Sequence, residues 1–205
     1  MAVRAEATRS DLVRRAFRLE WLTAAWMAVE AAVAIGSGIS AQSLSLIAFG
    51  ANSLIELASA GVLLWRLTIE LRQGGEFPEA VERRASNIAG ALLFALAAYV
   101  VASAAYGLWA RESQEFSATG LALVVLAIPI MWFLASAKIR LADQIGSQAL
   151  RADAIESIAC GYLSAVIALG LLAQLLFGAW WIDSATSLAI VVLLVKEGRE
   201  AWQNE

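Results

Sequence analysis

The chain has 205 residues, of which 60% are apolar and 16% charged, where a water-soluble domain carries roughly a quarter charged residues. With one Cys and no His it has no internal disulfide framework and lacks the commonest metal ligand and pH switch. A net charge of -3 with no long basic run gives no sign of nucleic-acid binding, and the composition points to an all-α membrane protein.

About 20 mostly apolar residues are needed for a helix to cross the hydrocarbon layer. Residues 1–16 hold Arg4, Arg9, Arg14 and Arg15 and read as a cytoplasmic N-terminal segment. The first span, 17–36, contains Glu20 and Glu30 and is followed by five more, so it is read as retained rather than cleaved as a signal peptide. The second span is 43–66, and after it comes a mixed acidic and basic connection, 67–86, punctuated by Gly74, Gly75 and Pro78. The third is 87–110, with the short connection 111–116 beyond it. The fourth, 117–137, contains Pro129, which is expected to kink it. Lys138, Arg140 and Arg151 are assigned to the connection before the fifth span, 152–177. The sixth, 180–196, is anchored by Trp180 and Trp181 at one end and by Lys196 and Arg199 at the other, with Asp183 expected as its N-cap. These spans make one transmembrane domain over 17–200 with a short tail, 201–205. Period-two alternation is nowhere sustained, so a β-barrel is not supported.

The basic residues divide unequally between the two sides. Fourteen of the fifteen fall on the side of the N-terminus, the second-to-third and fourth-to-fifth connections and the tail, leaving only Arg111 opposite. By the positive-inside rule both termini are cytoplasmic, which requires the even number of crossings that hydropathy also finds.

Ionisable groups within a bilayer are costly and usually face a bundle interior or a water-filled path. Here they concentrate in the second and fifth spans. Asn52 and Glu56 stand one helical turn apart on one face, and so do Glu156 and Cys160. Two such helices facing each other offer an amide oxygen, two carboxylates and a thiol to one cation. Ala48–Glu56 aligns without gaps on Ala152–Cys160, matching Ala48 to Ala152, Ser53 to Ser157, and polar pair to polar pair. Each segment lies in the middle helix of a three-span half. Halves of three spans have opposite orientations, so the expected plan is a 3+3 inverted repeat. Asp153, Ser53, Ser157 and Glu30 are the candidates for entrance or supporting positions around the four donors.

These features resemble the transmembrane part of the cation diffusion facilitator family. The residues that carry the likeness are the two i, i+4 pairs, the phrase Ala152-Asp153-Ala154-Ile155-Glu156-Ser157 and the aromatic-Asp start of the sixth span at Trp181-Ile182-Asp183. The family's pairs are mostly Asp and His, where this chain has Asn52/Glu56 and Glu156/Cys160, and the chain looks like a short branch without the cytoplasmic C-terminal domain. The resemblance implies a metal/proton exchanger that works as a homodimer.

The expected function is therefore efflux of a divalent transition-metal ion (Zn, Co, Fe, Mn or Cd) exchanged for protons, with metal ligands Asn52, Glu56, Glu156 and Cys160. No permanently bound cofactor is expected. The partners are the lipid bilayer, the cation and protons, in a bacterial cytoplasmic (inner) membrane. Two other classes stand beside this one. A metal-binding membrane sensor or accessory subunit would bind an ion without moving it. A proton-coupled exporter of small organic cations would use Glu56 with Trp and Tyr side chains. No nucleophile elbow or intramembrane-protease carboxylate pair points to an enzyme.

Overall fold

An apolar chain in lipid has to satisfy its backbone hydrogen bonds internally, and helices do so within each segment. The computed structural model describes residues 9–73, 79–111 and 115–203, which form six helices and no strand. They are α1 (Arg9–Ala41), α2 (Leu44–Gln73), α3 (Glu79–Ala110), α4 (Ala118–Ile145), α5 (Gln148–Phe177) and α6 (Ile182–Gln203). Arg4 and the expected turn residues Gly74, Gly75 and Pro78 lie outside the described residues. The helices run past the apolar spans, because hydropathy registers the lipid-facing part whereas backbone hydrogen bonding continues into the interface. Five of the six are long and apolar enough to cross a membrane. The exception is α6, whose last turns carry Lys196, Glu197, Arg199 and Glu200, and it packs along α3. The molecule is an all-α membrane protein.

Local signals account for the helix ends. Ser117 caps α4 by accepting from the Gly120 N–H at 3.0 Å, and Ser147 caps α5 by accepting from that of Leu150 at 3.3 Å. Gly146 ends α4 in the left-handed region, φ 74°, and its N–H closes on the Ala142 carbonyl at 2.8 Å. Pro129 lies inside α4, and the helix continues through it.

The pairwise packing has the pattern of two three-helix halves. α1 lies along α2 as α4 lies along α5, and α2 meets α3 as α5 meets α6. Across the halves, α1 meets α4, α2 meets α5, and α3 meets α6. Met27, Phe49, Met131, Leu163, Ile190 and Leu194 fill the centre, while Trp21, Tyr99, Trp132, Phe133 and Leu176 are exposed, as lipid-facing residues must be. The C-terminal ends of α2 and α6 and the α4–α5 turn carry Arg66, Arg140, Arg151, Lys196 and Arg199, and are called the basic end below.

Two sequence expectations are corrected. Asp183 does not cap its own helix. It lies in the first turn of α6 and accepts from Ser43 Oγ at 2.8 Å, Leu44 N at 2.7 Å, Ser45 N at 3.3 Å and Ser45 Oγ at 2.5 Å, so it caps α2 from across the bundle. Lys138 does not belong to a connection. It lies within α4 and is 0% exposed. Pattern explains the second case, for Lys138 follows Ala127, Met131 and Leu134 on the buried stripe of α4.

The helices approach closely at Gly50, where an added Cβ would stand 2.6 Å from Ile35 Cγ1, 3.0 Å from Ile35 N and 3.1 Å from the Ala31 carbonyl of α1. Gly50→Ala is expected to cost about 1–3 kcal/mol in reversible unfolding, because two of the three neighbours are backbone atoms. Gly61→Ala on the same helix, with nothing within 4 Å, should cost nothing. Equal losses at both positions would show that glycine flexibility, rather than close packing, matters in α2.

Candidate metal site

The expected donors on α2 are in direct contact. Asn52 donates through Nδ2 to Glu56 Oε1 at 2.5 Å. Both side chains are withdrawn from the surface, Asn52 at 0% and Glu56 at 6% exposure. Their remaining acceptors, Asn52 Oδ1 and Glu56 Oε2, have no hydrogen-bond partner among the described residues. A buried acceptor without a donor loses the hydration it had in water, so two of them side by side suit a cation.

Beside this pair, Glu30 of α1 joins three helices. Its Oε1 accepts from Ser53 Oγ of α2 at 2.7 Å and from the Cys160 thiol of α5 at 3.4 Å, and its Oε2 accepts from Trp26 Nε1 at 2.9 Å. Glu30 thus anchors the fifth-helix thiol next to the second-helix pair. Cys160 is fully buried and not in a disulfide. Glu156 is half-buried on α5. In this conformation no three Asp, Glu, Cys or His side chains among the described residues converge closely enough to ligate one ion.

Asp153 and Ser157 belong to a different cluster. Lys138 donates to Asp153 Oδ2 in a short ion pair, lies 3.0 Å from Glu20 Oε2 of α1, and stands 3.5 Å from Ser157 Oγ. The repeat therefore has a chemical counterpart. Ser53 meets a carboxylate on α1, and its aligned partner Ser157 meets an ammonium on α4. Sequence reasoning noticed Glu20 only as a reason to retain the first span, and it placed Lys138 with the interface charges. It also left Glu197 unread, although Glu197 continues the inward stripe of Ser187, Ile190 and Leu194 on α6.

Residues 21–203 match the family model of the cation efflux transmembrane domain. The chain belongs to the cation efflux family. The match runs from the middle of α1 through the end of α6, and so takes in every residue of the two clusters except Glu20. No curated protein sequence matches the chain. The family is one of transporters, so this cation efflux domain is a cation transporter by descent rather than an enzyme. An open groove between α1 and α4 is lined by Leu22, Trp26, Pro129, Ile130, Phe133 and Leu134. No carboxylate lines it, so in this cation efflux domain it offers an organic cation apolar contact without a counter-charge.

Proposed function

We propose that this chain exports a divalent transition-metal ion in exchange for protons, using Asn52 and Glu56 of α2 with Glu156 and Cys160 of α5. The observation that carries this reading is the pair of bare acceptors, Asn52 Oδ1 and Glu56 Oε2, buried one turn apart and adjacent to the Glu30–Cys160 contact. A carboxyl group shut away from water is neutral at least cost, and an arriving cation favours its ionised form and displaces the proton. Because the donors do not converge in this conformation, binding draws the side chains of α2 and α5 together. Exchange follows if the ion and the protons occupy the same oxygens alternately while the halves change their relative tilt.

The mixed donor set accepts Zn, Co, Fe, Mn or Cd, since thiolate favours the softer ions and carboxylate the harder. The reading places the protein in a bacterial inner membrane with its basic end toward the cytoplasm, and pairs it with a second copy as the resemblance implies.

The test is metal-stimulated proton movement in sealed proteoliposomes, scanned over these five ions. Flux with at least one ion is expected, and the double variant Glu56→Gln, Glu156→Gln is expected to lower it by at least about 100-fold. Wild-type protein that binds an ion in calorimetry but moves none would replace this reading with a sensor or accessory subunit. Flux that survives in the double variant would place the site elsewhere.

A further inference from the structure

Glu197 stands on the face of α6 that also carries the fully buried Ile190 and Leu194. Beside it, Gly198 brings α6 against α3, where an added Cβ would be 3.3 Å from the Gly90 carbonyl and from the Phe94 ring. This contact holds the last turns of α6 to the bundle. The Glu197 Oε1 atom is shut off from solvent and has no hydrogen-bond partner among the described residues. The neighbouring Lys196 turns outward, 69% exposed, and lies 3.8 Å from Glu200, so it does not fill that role.

α6 packs against α2 and α5, and α2 and α6 start side by side where Asp183 accepts from the Leu44 N–H. Glu197 lies 14 residues beyond Asp183 and Glu56 lies 12 residues beyond Leu44, so the two carboxylates stand at nearly the same depth in neighbouring helices. Three bare acceptors therefore lie at similar depth on two helices that pack together: Asn52 Oδ1, Glu56 Oε2 and Glu197 Oε1. The first two belong to side chains more than nine-tenths buried and point independently to a missing positive ligand. Glu197 and Glu156 lie nearer the basic end than Glu56 does, since Glu197 directly follows Lys196 and Glu156 lies in the first turns of α5, close after Arg151.

We propose that Glu197 is an oxygen ligand for the transported divalent cation, forming with Glu156 a loading position at the basic end that exchanges the ion with Asn52 and Glu56. This rests on the transport reading above and adds a third helix to its path. Carboxylate oxygens at the mouth select small divalent ions by charge, while the amide and thiol deeper in select among them.

The test uses the full chain in nanodiscs for Mn2+ binding, followed by electron paramagnetic resonance, and in proteoliposomes for Mn2+ and Co2+ flux. Glu197→Gln is expected to raise both the Kd for Mn2+ and the KM for flux by about 10-fold, with the maximal rate at saturating ion little changed. Glu200→Gln, one turn away and outward, should alter neither. Glu197→Met is measured in parallel, so that a folding defect in one variant does not hide the result. Kd and KM within about 2-fold of wild type in a folded Glu197 variant overturn the proposal and leave transport standing. Weakened Mn2+ binding in Glu197→Gln without flux in the wild type supports the Glu197 position and sinks transport. A wild type that binds none of the five ions of the transport assay sinks both.

Discussion

Lys138→Met is expected to destabilise the protein by about 3–5 kcal/mol, because it leaves two buried carboxylates facing each other without their shared cation. The ammonium is 0% exposed and bridges Glu20 of α1 and Asp153 of α5 from a position on α4. Breaking such a cluster from one side costs far more than the cluster contributes, since the remaining charges cannot regain their water. Neutralising the other partners should therefore restore most of the loss, and Lys138→Met with Glu20→Gln and Asp153→Asn is the variant that shows it. An internal control is available in Arg151 and Asp143, paired at 2.8 Å with side chains 60% and 57% exposed. Arg151→Met should cost less than about 1 kcal/mol. The eight Trp residues give an intrinsic fluorescence signal for unfolding in mild detergent. If Lys138→Met and Arg151→Met cost the same, the triad is not the buried structural element described.

Asp183→Ala is expected to cost about 2–4 kcal/mol, more than the ~1 kcal/mol usual for a helix cap. Its carboxylate accepts from two backbone N–H groups at the start of α2 and from the hydroxyls of Ser43 and Ser45. The negative charge also sits at the positive end of the α2 dipole, an interaction that Asp183→Asn removes while retaining an acceptor. Asn should therefore lose less than Ala. The loss should appear as faster hydrogen exchange at the first turn of α2, not of α6. Exchange that quickens only in α6 would return Asp183 to the role of a cap for its own helix.

Much of the architecture was legible because lipid leaves few alternatives. Apolar length specified the helices, and the rarity of buried polar groups drew attention to Asn52, Glu56, Glu156 and Cys160. What stayed hidden depends on direction rather than composition. Asp183 beside a helix start reads as a local cap, and only tertiary packing shows that its oxygens turn to a helix some 140 residues earlier. Lys138 at the end of an apolar span has the same composition signal as an interfacial anchor, and a buried partner is the only thing that separates the two. Glu30 reads from the sequence only as an entrance or supporting position, because its three donors come from three different helices. Glu197 was obscured by its flanking Lys196 and Arg199, which made that turn read as the exit from the membrane.

Asp183 and Lys138 also have a joint consequence. Asp183 ties α6 to α2 at the end where both helices begin, and Lys138 ties α4 to Glu20 of α1 toward the basic end. Each tie joins the first three helices to the last three, so the two halves are bolted at both extremities. Separating the halves at either level therefore breaks one buried polar tie, and separating them at both would cost the sum of two large terms. A bundle tied at two levels resists being pulled apart more than one tied at a single level.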